Sequence, residues 1–125
     1  IRVTKKNKLI NCALATGGPK SDSPRKENIF EEYTKISRVV DAPIRKFGSA
    51  ALGLAYVAAG RFDAYWEWEL NYWDVAAGMV ILKEAGGYIE FLEPGAPTSN
   101  KRNVIATNSN IHEELKGLLI KKNIE

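Results

Sequence analysis

The chain has little of what several kinds of chemistry require. Its 125 residues include one cysteine, one histidine and one methionine. A single thiol cannot close a disulfide within the chain. Cys12 lies in an apolar run and reads as a buried, inert thiol in a reduced, cytoplasmic setting. A single imidazole excludes a histidine-based zinc cluster, which needs several nitrogen or sulfur ligands. That residue, His112, falls in the first turn of a predicted amphipathic helix and reads as surface. No apolar run approaches the roughly 20 residues that span a bilayer, and the opening residues show no basic-then-apolar leader pattern. Thr16-Gly17-Gly18-Pro19 is not followed by a Lys-Ser or Lys-Thr pair, which excludes a nucleotide P-loop.

What is present suits a folded globular domain. Hydrophobic residues make up 45% and charged residues 26%, too apolar for disorder. A chain of this length buries about two thirds of its unfolded surface. The net charge is +3 and the pI about 9.0, which permits anionic partners. Its cations are scattered, however: Lys5, Lys6 and Lys8, Arg25 and Lys26, Lys101 and Arg102, Lys121 and Lys122. Glu31, Glu32, Glu113 and Glu114 interleave with them. That distribution reads as a solvated surface and makes nucleic acid an unlikely partner. The chain opens on Ile1 rather than methionine, so it is expected to be a processed product, a trimmed chain or one piece of a longer protein.

Hydrophobic periodicity places the elements. Residues 8–15 read as a buried strand that ends at Gly17-Gly18, and residues 20–26 as loop. Ile29, Phe30, Tyr33, Ile36, Val39 and Val40 follow helical spacing from Glu27 to Val40, and Asp41-Ala42-Pro43 ends that helix. Residues 44–47 form a short strand. A helix runs over 50–59, with Ser49 as N-cap and Gly60 as C-cap. A strand covers 62–68, a helix 71–85 closed by Gly86-Gly87, and a strand 88–92. Residues 93–102 read as loop and 104–106 as strand. Ser109 or Asn110 caps a last helix through Ile111, Leu115, Leu118 and Leu119. Short apolar strands alternating with helices predict an α/β domain, a mixed sheet covered by helices on both faces.

Residues 48–87 carry the most chemical information. The helix containing Val75, Ala76, Ala77, Gly78, Met79, Val80, Ile81 and Leu82 is apolar nearly all round, which predicts burial. Asp74 then sits in the first turn of a buried helix, where the helix dipole favours its charged form. Two roles are open to it: reaching back to Asn71 in a capping box, or ligating a hard cation such as magnesium. Glu67 reads as a surface carboxylate at a strand end. Ser49 reads as a simple N-cap. Trp66, Trp68 and Trp73 read as core and pocket-wall packing, and Asp63 as a structural hydrogen-bonding acid.

The run Trp73-Asp74-Val75-Ala76-Ala77-Gly78, followed by Glu84-Ala85-Gly86-Gly87, resembles the C-terminal signature of the inositol monophosphatase family. Gly48-Ser49-Ala50-Ala51 and Tyr56 to Glu67 are similar to the same family, nearest its bacterial branch, and the resemblance covers essentially the whole chain. It implies the C-terminal half of a layered αβαβα fold spanning residues 1–125. It also implies that Asp74 binds a catalytic magnesium ion, that Glu67 contacts a substrate hydroxyl, and that Gly48, Ser49 and Ala50 line the substrate pocket. Two positions depart from the family pattern. Glu69 stands where glycine is usual, and Tyr72 where proline or cysteine is frequent.

The family's Asp-Pro-x-Asp-Gly-Thr motif, which supplies most metal ligands from an N-terminal half, is absent. One carboxylate cannot fix a pair of octahedral magnesium ions. The expected function is therefore split. A parent protein hydrolyses inositol monophosphate or a related sugar phosphate with magnesium. This chain supplies the substrate-recognition half and Asp74, and is inactive without the N-terminal half of the same protein. A homodimer is a further implication of the resemblance. The competing expectation is a non-enzymatic protein- or RNA-binding module derived from a truncated phosphatase. A third is a related phosphatase acting on fructose bisphosphate or a nucleotide 3′-phosphate.

Overall fold

A computed structural model describes residues 1–18, 26–92 and 101–119, the side chain of Lys101 excepted. The expected loops over 20–25 and 93–100 lie outside the described residues, as do Arg25, Lys121 and Lys122. The elements are β1 (Leu14–Thr16), α1 (Lys26–Ser37), β2 (Arg45–Lys46), α2 (Ala50–Ala58), β3 (Ala64–Asn71), α3 (Tyr72–Glu84), β4 (Tyr88–Leu92), β5 (Lys101–Thr107) and α4 (His112–Leu119). A single 3-10 turn, Leu9–Asn11, precedes them.

One five-stranded sheet runs in the order β2-β1-β3-β5-β4. β1 is parallel to both β2 and β3, whereas β5 is antiparallel to both β3 and β4. The alternation of β3 feeds two cores. Ala64, Trp66 and Trp68 point into one, with Ile29 and Ile36 of α1 and Leu115 and Leu119 of α4. Tyr65 and Leu70 point into the other, with Leu54 and Val57 of α2 and Val75 and Leu82 of α3. Helices therefore cover both faces, as expected for an α/β layer. Each fully buried Leu, Ile or Val contributes about 1.5–3 kcal/mol.

The element boundaries differ from expectation where hydrogen bonds compete with the apolar pattern. The first strand is only Leu14–Thr16, because residues 9–11 close a turn in which Cys12 N–H donates to Leu9 O at 2.9 Å. Helix α1 stops at Ser37, and Val39 N–H turns back to Ile36 O. β3 runs on to Asn71, and residues 101–102 belong to β5 rather than to a loop. The cap of the last helix is neither Ser109 nor Asn110. Asn108 Oδ1 accepts from the N–H groups of Asn110 (3.0 Å) and Ile111 (3.3 Å).

Three burial expectations are overturned. Helix α3 is not buried all round: Tyr72, Trp73, Val80 and Ile81 are exposed, Trp73 by 63%. Trp73 is thus not core, in contrast to Trp66 and Trp68. His112 is buried, because residues 112, 115 and 119 share the inward stripe of α4. Its Nδ1 lies 2.9 Å from Thr107 Oγ1 and its Nε2 2.9 Å from Glu90 Oε1. Asp63 is the structural acid expected. It accepts from Thr4 Oγ1 and from Ala13 N–H at 2.7 Å, and pairs with Lys6 at 3.4 Å. Cys12 is 1% exposed, and burial, reinforced by the negative charge of Asp63, pushes its thiol up to about 11.

Candidate active site at the ends of the parallel strands

Topology alone selects one edge of the sheet. The chain leaves β1 for α1 on one face and enters β2, then crosses by α2 on the other face to β3 on the far side of β1. The winding reverses between β1 and β3. A crevice opens outside the C-terminal ends of parallel strands at such a switch point, and small ligands bind there.

The residues singled out in the sequence converge on this end. Gly17 follows β1 directly. Gly48, Ser49 and Ala50 follow β2, and Ser49 Oγ caps α2 by accepting from Leu52 N–H at 3.2 Å. Helix α2 thereby turns its N-terminus, with its positive dipole end, toward the same edge. Glu67 lies in the C-terminal half of β3. β3 runs without a loop into α3, so Asp74 stands in the first turn of a helix that starts at this edge.

Glu67 is not a surface carboxylate. It is 9% exposed, and Tyr65 Oη donates a hydrogen bond to its Oε1. Burial first, and the carboxylate second, push the Tyr65 phenol far above its ordinary range. A β-carbon on Gly17 would overlap the Glu67 carboxyl group, so the loop after β1 seats directly on this side chain. The strands are tied here by Thr16 Oγ1 donating to Trp66 O at 2.7 Å and by Phe47 N–H donating to Thr16 O at 3.0 Å.

Asp74 is exposed rather than buried. Asn71 makes no side-chain cap bond, and no described residue donates to the Asp74 carboxylate. The capping-box role is therefore not realised. Between the two carboxylates the strand carries a bulge at Glu67–Leu70, where Glu69 takes φ +64° and its N–H donates to Asn103 Oδ1 at 3.0 Å. The glycine usual at this position in the family has its physical cause here. Among the described residues no group of three or more His, Cys, Asp or Glu side chains could hold a metal ion. The described residues alone therefore do not fit a magnesium ion, although Asp74 is an unengaged hard oxygen donor.

Sequence reasoning missed Tyr65 and Gly17. Tyr65 was legible in part, since residues 65 and 67 share one strand face. Gly17 was not, because its contact depends on the β1–β3 register.

The fold is a mixed α/β layer whose β1/β3 switch point lies at the edge carrying these segments. The model of the Inositol monophosphatase family matches residues 1–123, and the chain belongs to that family. It is 40% identical over 116 residues to an inositol-1-monophosphatase of Caulobacter vibrioides, covering 92% of this chain and 45% of that protein. It is 42% identical over 105 residues to the Nus factor SuhB of Pseudomonas aeruginosa, covering 76% of this chain and 38% of that protein. The crystal structure of the extragenic suppressor protein suhB from Bartonella henselae superposes with a TM-score of 0.83 at 42% identity. That match covers 98% of this chain and 47% of that one. The chain thus spans less than half the length of these relatives.

Proposed function

We propose that this chain is the substrate-recognition half of a magnesium-dependent phosphomonoesterase acting on inositol monophosphate or a related sugar phosphate. The reading is supported by chain topology, which starts α2 after β2, ends β3 beyond Glu67 and begins α3, with Asp74 in its first turn, all at the switch-point edge. Gly48, Ser49 and Ala50 offer backbone N–H groups to a polyol or phosphate oxygen. Glu67 accepts a hydrogen bond from a substrate hydroxyl. Asp74 contributes one oxygen ligand to a magnesium site whose other ligands lie in an N-terminal half. The exposed apolar face of Trp73, Val80 and Ile81 supports a need for that second half, because a lone domain rarely leaves such a helix face uncovered.

The test is phosphate release from inositol monophosphate with magnesium, by the chain alone and after addition of the N-terminal half of the Caulobacter relative. The chain alone releases none, the pair releases phosphate, and Asp74→Asn in the pair abolishes release without changing the fold. A reconstituted pair that stays silent on a panel of sugar monophosphates refutes the reading. Relatives carrying the name Nus factor SuhB favour a second reading, a non-enzymatic RNA- or protein-binding module. A gel-shift titration across salt concentrations tests its RNA form, since phosphate contacts give a steep salt slope.

A further inference from the structure

Tyr65 has no part in the function so far, yet it is hydrogen-bonded to Glu67. It is 0% exposed, and its phenol donates to Glu67 Oε1. Its ring is pressed in turn by α2: a β-carbon on Gly53 would lie 2.5 Å from Tyr65 Cε1. Gly53 is one turn beyond Ser49, whose hydroxyl caps the same helix. Gly17 also closes on the Glu67 carboxyl. Glu67 is thus gripped between the loop after β1 and a phenol that α2 holds in place.

We infer that Tyr65 is a positioning residue, which holds Glu67 in a single rotamer so that the carboxylate accepts a hydrogen bond from a neutral hydroxyl of a polyol phosphate. The inference rests on the function proposed above and deepens it. A phenol can only donate to this carboxylate, so the bond fixes which oxygen faces Tyr65. It also removes the rotamer freedom that a free glutamate would lose on binding. Helix α2 then serves the ligand twice, through its N-terminus and, by way of Gly53 and Tyr65, through the orientation of Glu67.

Two measurements test this. In the 125-residue chain, proton NMR should show one slowly exchanging, downfield phenolic hydroxyl. Tyr65→Phe removes it and Glu67→Gln shifts it. In the reconstituted pair, Tyr65→Phe should raise KM for inositol monophosphate about 10-fold, the size expected for one hydrogen bond to a charged group, with kcat changed by less than about 3-fold. Glu67→Gln should raise KM similarly, and the double variant no further, because residues acting as a unit are non-additive. A merely structural tyrosine would lower stability without this KM pattern. KM effects that add, or a phenolic proton indifferent to Glu67→Gln, overturn the inference. A wild-type pair that releases no phosphate counts against the phosphatase reading instead, and the NMR measurement then decides the pairing.

Discussion

Replacing Glu69 with glycine should make the chain more stable, although the change deletes a charged side chain beside the candidate site. Glu69 holds φ +64° in the β3 bulge. A residue with a β-carbon spends about 1–2 kcal/mol to occupy the left-handed region. Glycine occupies it freely, but its unfolded chain is more flexible, which returns about 0.5–1 kcal/mol. The one bond seen at this position, from Glu69 N–H to Asn103 Oδ1 at 3.0 Å, is a backbone donor that glycine retains. The net expectation is a gain of about 0.5–1 kcal/mol, or roughly 2–5 °C in Tm for a domain of this size. Urea titration should show a higher midpoint at unchanged slope. Glu69→Ala is the control: it keeps the β-carbon and hence the strain, so its Tm should not exceed that of the wild type. If alanine stabilises as much as glycine, the charge rather than the backbone is responsible. If glycine destabilises, the bulge is not strained.

Gly78→Ala should cost about 1–3 kcal/mol by calorimetry, since its β-carbon would sit 2.6 Å from Leu54 Cδ1 and force α2 and α3 apart. Stability should also fall in acid through Glu90. Burial opposes its ionisation, but hydrogen bonds with Lys116 (2.7 Å) and His112 (2.9 Å) outweigh that and hold its carboxyl below the usual range. A folded pKa below the unfolded one gives stability that is present above the unfolded value, near 4.5, and is lost as pH falls through the folded value. Glu90→Gln should flatten that limb in urea titrations at pH 3 to 5. Cys12, its thiol pushed up to about 11, should resist aromatic disulfide reagents at pH 8 in the folded chain and react once per chain in urea.

Much of the fold was legible because local signals and tertiary structure agree. Ser49 caps α2 as its residue type requires, Gly60 follows that helix at φ +78°, and β4 has the expected bounds. Where reading failed, the sequence pattern was ambiguous. A helix apolar on every side looks the same whether it is buried or lacks its cover, so α3 and Asp74 were assigned to the interior. A position in the first turn of an amphipathic helix reads as surface for His112, although its spacing to Leu115 and Leu119 puts it on the inward stripe. The site residues with strong local signatures, Gly48, Ser49, Glu67 and Asp74, could be named from sequence. The sheet edge they share depends on strand order, which is long-range information.

The direct joint between β3 and α3 has a consequence for how this scaffold can vary. The carboxylates at 67 and 74 ride on one uninterrupted strand-to-helix run, with Asn71 ending the strand and Tyr72 beginning the helix. One residue inserted there would swing Asp74 about 100° around the helix axis and undo its relation to Glu67. On the function proposed above, a change in the size of the accepted molecule is absorbed away from this joint, which acts as the fixed jaw of the vice.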